Sequence, residues 1–181
     1  MYSNLIILQQ QSWTFDYKFD FIHSRMMTGS IRDWEKLINQ GFENLTSGGW
    51  VQISDMDIPL RCDDNTMGSN IDEWGRSVVG STAQMGLAVN SARSYKRQLI
   101  AVGFEDVQEL VYNWPMNRWP KNPRMKELGT RKNENMRGDL SGLSVAIFTR
   151  VLGWIPEATE LFLDEVKREM NDMNMHTYFA I

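Results

Sequence analysis

Residues able to do chemistry gather at three places in this chain. The first is the run His23-Ser24-Arg25-Met26, which closes an apolar stretch opened by Phe19. An imidazole there can act as a base or line a bound ligand. A guanidinium pairs with a carboxylate through parallel N–H donors. The second is Asp55 and Asp57, directly after Trp50-Val51-Gln52-Ile53-Ser54, where carboxylates can orient a polar substrate. The third is Trp114, Met116 and Trp119, flat or soft apolar side chains that suit the wall of a pocket. Each has an ordinary alternative. A histidine can be bonded to backbone and an arginine held in a surface ion pair. Aspartates form turns, and tryptophans pack in cores. Asp20 is read as fixing local backbone. Position singles these residues out: in open α/β sheets, ligands bind beyond the carboxyl ends of the strands. The pair His23-Ser24 has no G-x-S-x-G elbow around it, so a hydrolase is set aside.

The elements that must position these groups follow from apolar patterning. Leu5-Ile6-Ile7-Leu8 reads as a short buried strand and residues 19–23 as a second. Ser30 reads as a helix N-cap with Asp33 in the capping-box position. Trp34, Leu37, Ile38 and Leu45 make one apolar helix face, and Gly48-Gly49 stops the helix before a strand at 50–54. Strand, helix and strand joined by short loops make a βαβ unit, with parallel strands and a right-handed crossover. Residues 59–69 read as a loop. Asn70 and Glu73 form a second capping-box pattern, ahead of a helix carrying Ile71, Trp74, Val78 and Met85. A further helix runs from Ser94 through Tyr95, Leu99 and Ile100 to Gly103. Residues 107–114 read as a strand. Pro115, Pro120 and Pro123 mark an irregular insertion over residues 114–142, followed by a helix at 143–152. Pro156 opens a helix with Leu161, Phe162, Val166 and Met170, and residues 176–181 read as a last strand. The expected fold is α/β, in one domain spanning residues 1–181, with a doubly wound pattern.

Composition narrows the function. The 181 residues carry 42% hydrophobic and 23% charged residues, an ordinary globular balance. A net charge of -4 argues against binding nucleic acid through phosphate contacts. The basic run from Arg118 to Arg137 reads as a solvated face. One cysteine, Cys62, and 2 histidines are too few for a Cys/His zinc site, so no metal is expected. The single cysteine also permits no internal disulfide. No apolar run is long enough to span a membrane, and Leu5-Ile6-Ile7-Leu8 is too short for a signal-peptide core. The expectation is a soluble protein of the cytoplasm or nucleus.

Three local signatures stand in order: Phe19-Asp20-Phe21-Ile22, the stretch F-E-N-L-T-S-G-G-W from Phe42 to Trp50, and L-I-A-V-G-F-E-D-V from Leu99 to Val107. Together with residues 19–57 as a whole and W-P-M-N-R-W-P from Trp114 to Pro120, they resemble class I S-adenosylmethionine (SAM)-dependent methyltransferases of the fungal LaeA-like group. The resemblance runs from about Trp13 to the end of the chain. It implies a partial Rossmann-like methyltransferase sheet with helices on both faces, SAM as cofactor, and a small-molecule or protein methyl acceptor in secondary metabolism. With the rule for strand ends, it implies that His23, Ser24, Arg25 and Met26 lie against the cofactor, Arg25 alternatively against a substrate, and that Asp55, Asp57, Trp114 and Trp119 lie against the substrate.

The family also has a glycine-rich loop after its first strand and an acidic residue at the end of its second. Here the first glycine is Gly29 and no G-x-G occurs. Gln9-Gln10-Gln11-Ser12 stand where the family has an acidic pattern. The reading is therefore of an N-terminally truncated domain. Its alternative is a catalytically inactive remnant or partner-binding subunit. In either case the strand at Phe19 becomes a sheet edge, filled by Leu5–Leu8 folding back or by a protein partner.

Overall fold

The computed structural model describes residues 12–181 of the chain. The expected strand at Leu5–Leu8 and its fold-back lie outside those residues.

The expected βαβ unit is formed by β1 (Phe19–Arg25), α1 (Trp34–Glu43) and β2 (Leu45–Ser54), with β1 and β2 parallel. Strand alternation sorts their side chains. The register pairs Phe21 with Trp50, His23 with Gln52 and Arg25 with Ser54, while Ile22 pairs with Val51 and Ser24 with Ile53. Ile53 packs against a cluster of Ile31, Trp34 and Tyr95. That face is covered by α1 and by α3 (Ala92–Val102). Among the described residues the opposite face is open, with Phe21 54% and Trp50 68% exposed.

Two details of the unit differ from expectation. The α1 cap is Asp33, whose carboxylate accepts the Lys36 N–H at 2.8 Å. Ser30 instead donates its own N–H to the Met27 carbonyl in the preceding turn. Leu45 is buried as expected, but as the first residue of β2, because α1 ends at Glu43.

Beyond Asp55 and Met56 the chain enters a second, three-stranded antiparallel sheet. Its order is β3 (Asp57–Arg61), β5 (Tyr178–Ala180) and β4 (Asn113–Pro115). The loop expected at 59–69 therefore starts only after Arg61, and Pro59 lies inside β3. An edge strand tolerates a residue without an N–H. The strand expected at 107–114 shrinks to Asn113–Pro115, with Leu110, Val111 and Tyr112 exposed. Its partner β5 offers only a short ladder, which one further backbone pair between Tyr112 and Ile181 extends.

The irregular insertion expected over residues 114–142 is largely helix. α4 (Pro123–Arg150) runs for 28 residues. Pro123 opens it rather than breaking a chain, because a first-turn residue needs no N–H partner. Asn122 caps it by accepting the N–H groups of Arg124 and Met125. At Gly129 a Cβ would lie 1.9 Å from the Asn117 carbonyl oxygen, so glycine lets the preceding loop press onto the helix.

α2 (Ser69–Gln84) lacks the capping box expected at Asn70 and Glu73. Its N-cap is Gly68, which has no capping side chain. The orphan donors are satisfied from α5 (Pro156–Asn171): the Glu169 carboxylate accepts the N–H groups of Asn70 and Ile71 at 3.2 and 2.8 Å. A Cβ on Gly68 would come within 2.3 Å of that carboxylate. The main core lies among α2, α4, α5 and the second sheet, around Trp74, Leu140, Phe148, Leu163, Met170 and Phe179. Met85, expected on the α2 core face, is the C-cap and is exposed.

Trp34 is 5% exposed, with its ring centroid 4.4 Å from that of Tyr95. Trp34→Ala should lower stability by about 3–5 kcal/mol in urea melts. A change inside about 0.5 kcal/mol would place the ring outside the core.

Candidate functional site

The carboxyl ends of β1 and β2 border a small pocket of about 190 Å³. One wall is His23, Arg25 and Met26, with Gln52 and Ser54 beside them on β2. Strand alternation brings this set together, since residues 23 and 25 share a face with their register partners 52 and 54. The other wall is Trp114 and Ile181, contributed by the second sheet. The His23 ring stacks on Phe21 with centroids 6.0 Å apart, continuing the pocket wall into the open face of the sheet. Met26 turns the chain out of β1 with a φ of 53°, a left-handed conformation unusual for a side-chain-bearing residue. Its N–H donates to the Ser54 carbonyl at 2.9 Å, so the turn is tied to the end of β2.

The other residues singled out in the sequence lie elsewhere. Ser24 points to the opposite face from His23 and Arg25, and its buried hydroxyl has no partner. Asp55 is buried behind the pocket. One of its oxygens accepts the N–H groups of Met27 and Thr28 at 2.5 and 3.1 Å, and the other accepts the Tyr95 hydroxyl at 2.6 Å. Burial and the neighbouring Asp55 push the Tyr95 phenol well above its ordinary pKa. Asp57 is also buried. It takes the Arg93 Nε–H at 2.9 Å and the Arg61 guanidinium at 2.6 Å. Neither aspartate lines the pocket. Trp119 packs against His176 and donates its indole N–H to the Thr177 carbonyl at 3.1 Å. It sits by the Cys62–Thr66 loop, which His176 joins through Asp64 and Thr66. Among the described residues, no group of three or more His, Cys, Asp or Glu is placed to hold a metal ion.

Gln52, Ser54 and Ile181 were not singled out in the sequence. For the first two the signal was there: Val51 and Ile53 facing the core puts 52 and 54 on the other face. Ile181 is reached only through its pairing with Tyr112. Lys132 was read as part of a solvated basic run, yet its ammonium lies 4.7 Å from the Phe179 ring centroid and 3.1 Å from the Met56 sulfur. Burial lowers its pKa to about 8.

Comparison with known proteins gives this geometry a family. Residues 6–109 match the family described as "Methyltransferase domain". The chain belongs to that family. Over 173 residues it is 31% identical to "Probable methyltransferase tdiE" of Emericella nidulans, covering 94% of this chain and 54% of that protein. It is 28% identical over 172 residues to "Methyltransferase pytC" of Aspergillus terreus, covering 94% and 53%. It is 30% identical over 174 residues to "Secondary metabolism regulator LAE1" of Cochliobolus heterostrophus, covering 93% and 57%. This methyltransferase-family chain thus spans about half the length of the curated relatives it matches. Its mixed α/β architecture, with the parallel β1-α1-β2 crossover, agrees with a partial Rossmann-like methyltransferase fold. No helix among the described residues is long and apolar enough to cross a membrane.

Two outcomes follow from the buried polar groups Asp55 and Lys132. Asp55→Asn should cost about 1.5–3 kcal/mol, the range for hydrogen bonds to a charged group, and should speed amide exchange at Met27 and Thr28. Unchanged exchange at both amides would show that Asp55 does not hold the turn. Lys132 has a folded pKa of about 8 against an ordinary 10.5. The folded state therefore loses this proton first, and its contribution to stability rises from pH 8 to pH 10.5. Subtracting the pH–stability curve of Lys132→Met from that of the wild type should isolate that rise. A flat difference would mean the amine is solvated.

Proposed function

We propose that this chain forms the acceptor end of a SAM-dependent methyltransferase of fungal secondary metabolism, acting on a small-molecule or protein acceptor. The observation that supports this most is the convergence of His23, Arg25, Met26 and Trp114 at the carboxyl ends of parallel strands in a chain of the methyltransferase family. Open α/β sheets place ligands at that end. Met26 is proposed to face the methyl donor, and His23, Arg25 and Trp114 the acceptor. Asp55 and Asp57 serve as framework under this reading, since their oxygens are engaged by protein donors. The cytoplasm or nucleus is the proposed location.

The described residues do not by themselves fit the whole of SAM. The pocket's 190 Å³ falls below the roughly 300–1,000 Å³ of ordinary ligand sites. Its lining has no carboxylate for a ribose and no glycine for close backbone approach. When bound, SAM supplies the electrophilic methyl group. What this chain's own residues contribute is one wall of the site, a fixed positive charge at Arg25 and an apolar face at Trp114.

Calorimetric titration with S-adenosylhomocysteine tests the reading. Binding weaker than about 100 μM is expected. Low-micromolar binding would mean that the described residues suffice for the cofactor. A second reading, a partner-binding protein without catalysis, is favoured by exposed Phe21 and Trp50 beside the outer edge of β1, which is unpaired among the described residues. No heat at millimolar ligand would favour it.

A further inference from the structure

The pocket at the ends of β1 and β2 has a distinct charge and shape. Arg25 is its one permanent charge, no acidic side chain lines it, and Arg25 has no ion pair among the described residues. An unpaired guanidinium with nothing to neutralise it selects an anion, and its planar fork suits a carboxylate. The walls are flat: Trp114 stands on one side, and on the other His23 stacks on Phe21. Trp50, paired in register with Phe21, continues that strip along the open face. Between these, Gln52 and Ser54 offer neutral hydrogen-bonding groups. The pocket is small, about 190 Å³, which suits a one-ring ligand with an acidic substituent better than a nucleoside.

We propose that this pocket binds a small aromatic carboxylate, with the acid on Arg25 and the ring held between Trp114 and the His23–Phe21 strip. The proposal rests on the pocket being the acceptor end of a methyltransferase, and it names the class of acceptor: a flat aromatic acid. Charge complementarity sets the polarity of the ligand, and the facing aromatic walls set its flatness. Arg25 is a specificity-determining residue in this arrangement, because it separates acids from neutral compounds of the same shape.

The experiment uses the full chain, 4-hydroxybenzoate as probe, and two controls. 4-Hydroxybenzamide keeps the ring and removes the charge. Cyclohexanecarboxylate keeps the charge and removes the flat ring. Binding is followed by NMR, through the indole N–H of Trp114 and the backbone amides of His23 and Arg25. A ligand of this size should bind with Kd on the order of 1 mM. The acid should shift those signals, with the amide and the saturated acid each binding at least tenfold more weakly. Arg25→Met should abolish the preference for acid over amide, and Arg25→Lys should restore part of it. Arg25 is exposed, so both variants should melt with the wild type. Should either fail to fold, the three-ligand series on the wild type still decides the matter.

Equal binding of acid and amide overturns the proposal. So do shifts confined to the groove lined by Arg118 and Lys126, or no shift at about 10 mM, an order of magnitude above the expected Kd. A dimer that Trp50→Ser converts to monomer would also overturn it, because the open face would then be an interface between copies. The S-adenosylhomocysteine titration reads the methyl-transfer reading separately. Binding of 4-hydroxybenzoate without cofactor binding keeps the aromatic-acid site and removes the methyl-transfer reading, and the reverse result removes this inference alone.

Discussion

The Asp55 carboxylate joins three parts of the chain that sequence keeps far apart. Its oxygens hold the turn after β1 through Met27 and Thr28, and the hydroxyl of Tyr95 on α3. Asp55 itself directly follows β2. A buried carboxylate is costly unless its lone pairs are met, and here they are met by donors that fix the mouth of the pocket. Thr28 adds a second tie by donating its hydroxyl to the Met56 carbonyl at 2.9 Å. The left-handed turn at Met26 can persist because its N–H is held by Ser54 and the residues after it by Asp55.

The same two-residue bend at Asp55 and Met56 separates the sheets. Before it, β1 and β2 run parallel and lean on α1 and α3. After it, β3 starts at Asp57, whose carboxylate is clamped by Arg61 from its own strand and Arg93 from α3. These two aspartates anchor α3 to both sides of the bend, one through a phenol and the other through a guanidinium. The pocket lies over this junction, and its far wall, Trp114 and Ile181, comes from the antiparallel sheet.

Burial is uneven between the two regions. α2, α4 and α5 enclose Trp74, Phe148 and Phe179, and Trp74 donates its indole N–H to the Ser144 hydroxyl at 2.9 Å. Over β1 and β2, helices among the described residues cover one face, and Phe21 and Trp50 on the other are exposed. Large aromatic side chains gain from leaving water. Here Phe21 and Trp50 stay exposed beside the outer edge of β1, which is unpaired among the described residues.

The sequence by itself determined what depends on local periodicity and on residue type. The apolar run at residues 19–23, the helical spacing of Trp34 and Ile38, and the strand at residues 50–54 specified the βαβ unit and put His23, Arg25 and Met26 at the carboxyl end of a strand. The family resemblance from Phe19 to Asp57 fell in the same stretch. Tertiary structure decided what depends on partners distant in sequence. Glu169 caps α2 across 99 positions, where Asn70 and Glu73 offered a local box. Pro123 opens a long helix because Asn122 and the core behind it reward that geometry. Asp55 and Asp57 are engaged by Tyr95, Arg93 and Arg61, and Trp119 packs against His176, away from the pocket. A carboxylate or an indole carries the same chemistry in either role. Which role it takes is set by the donors and walls the fold brings within hydrogen-bonding distance, and local sequence does not encode that distance.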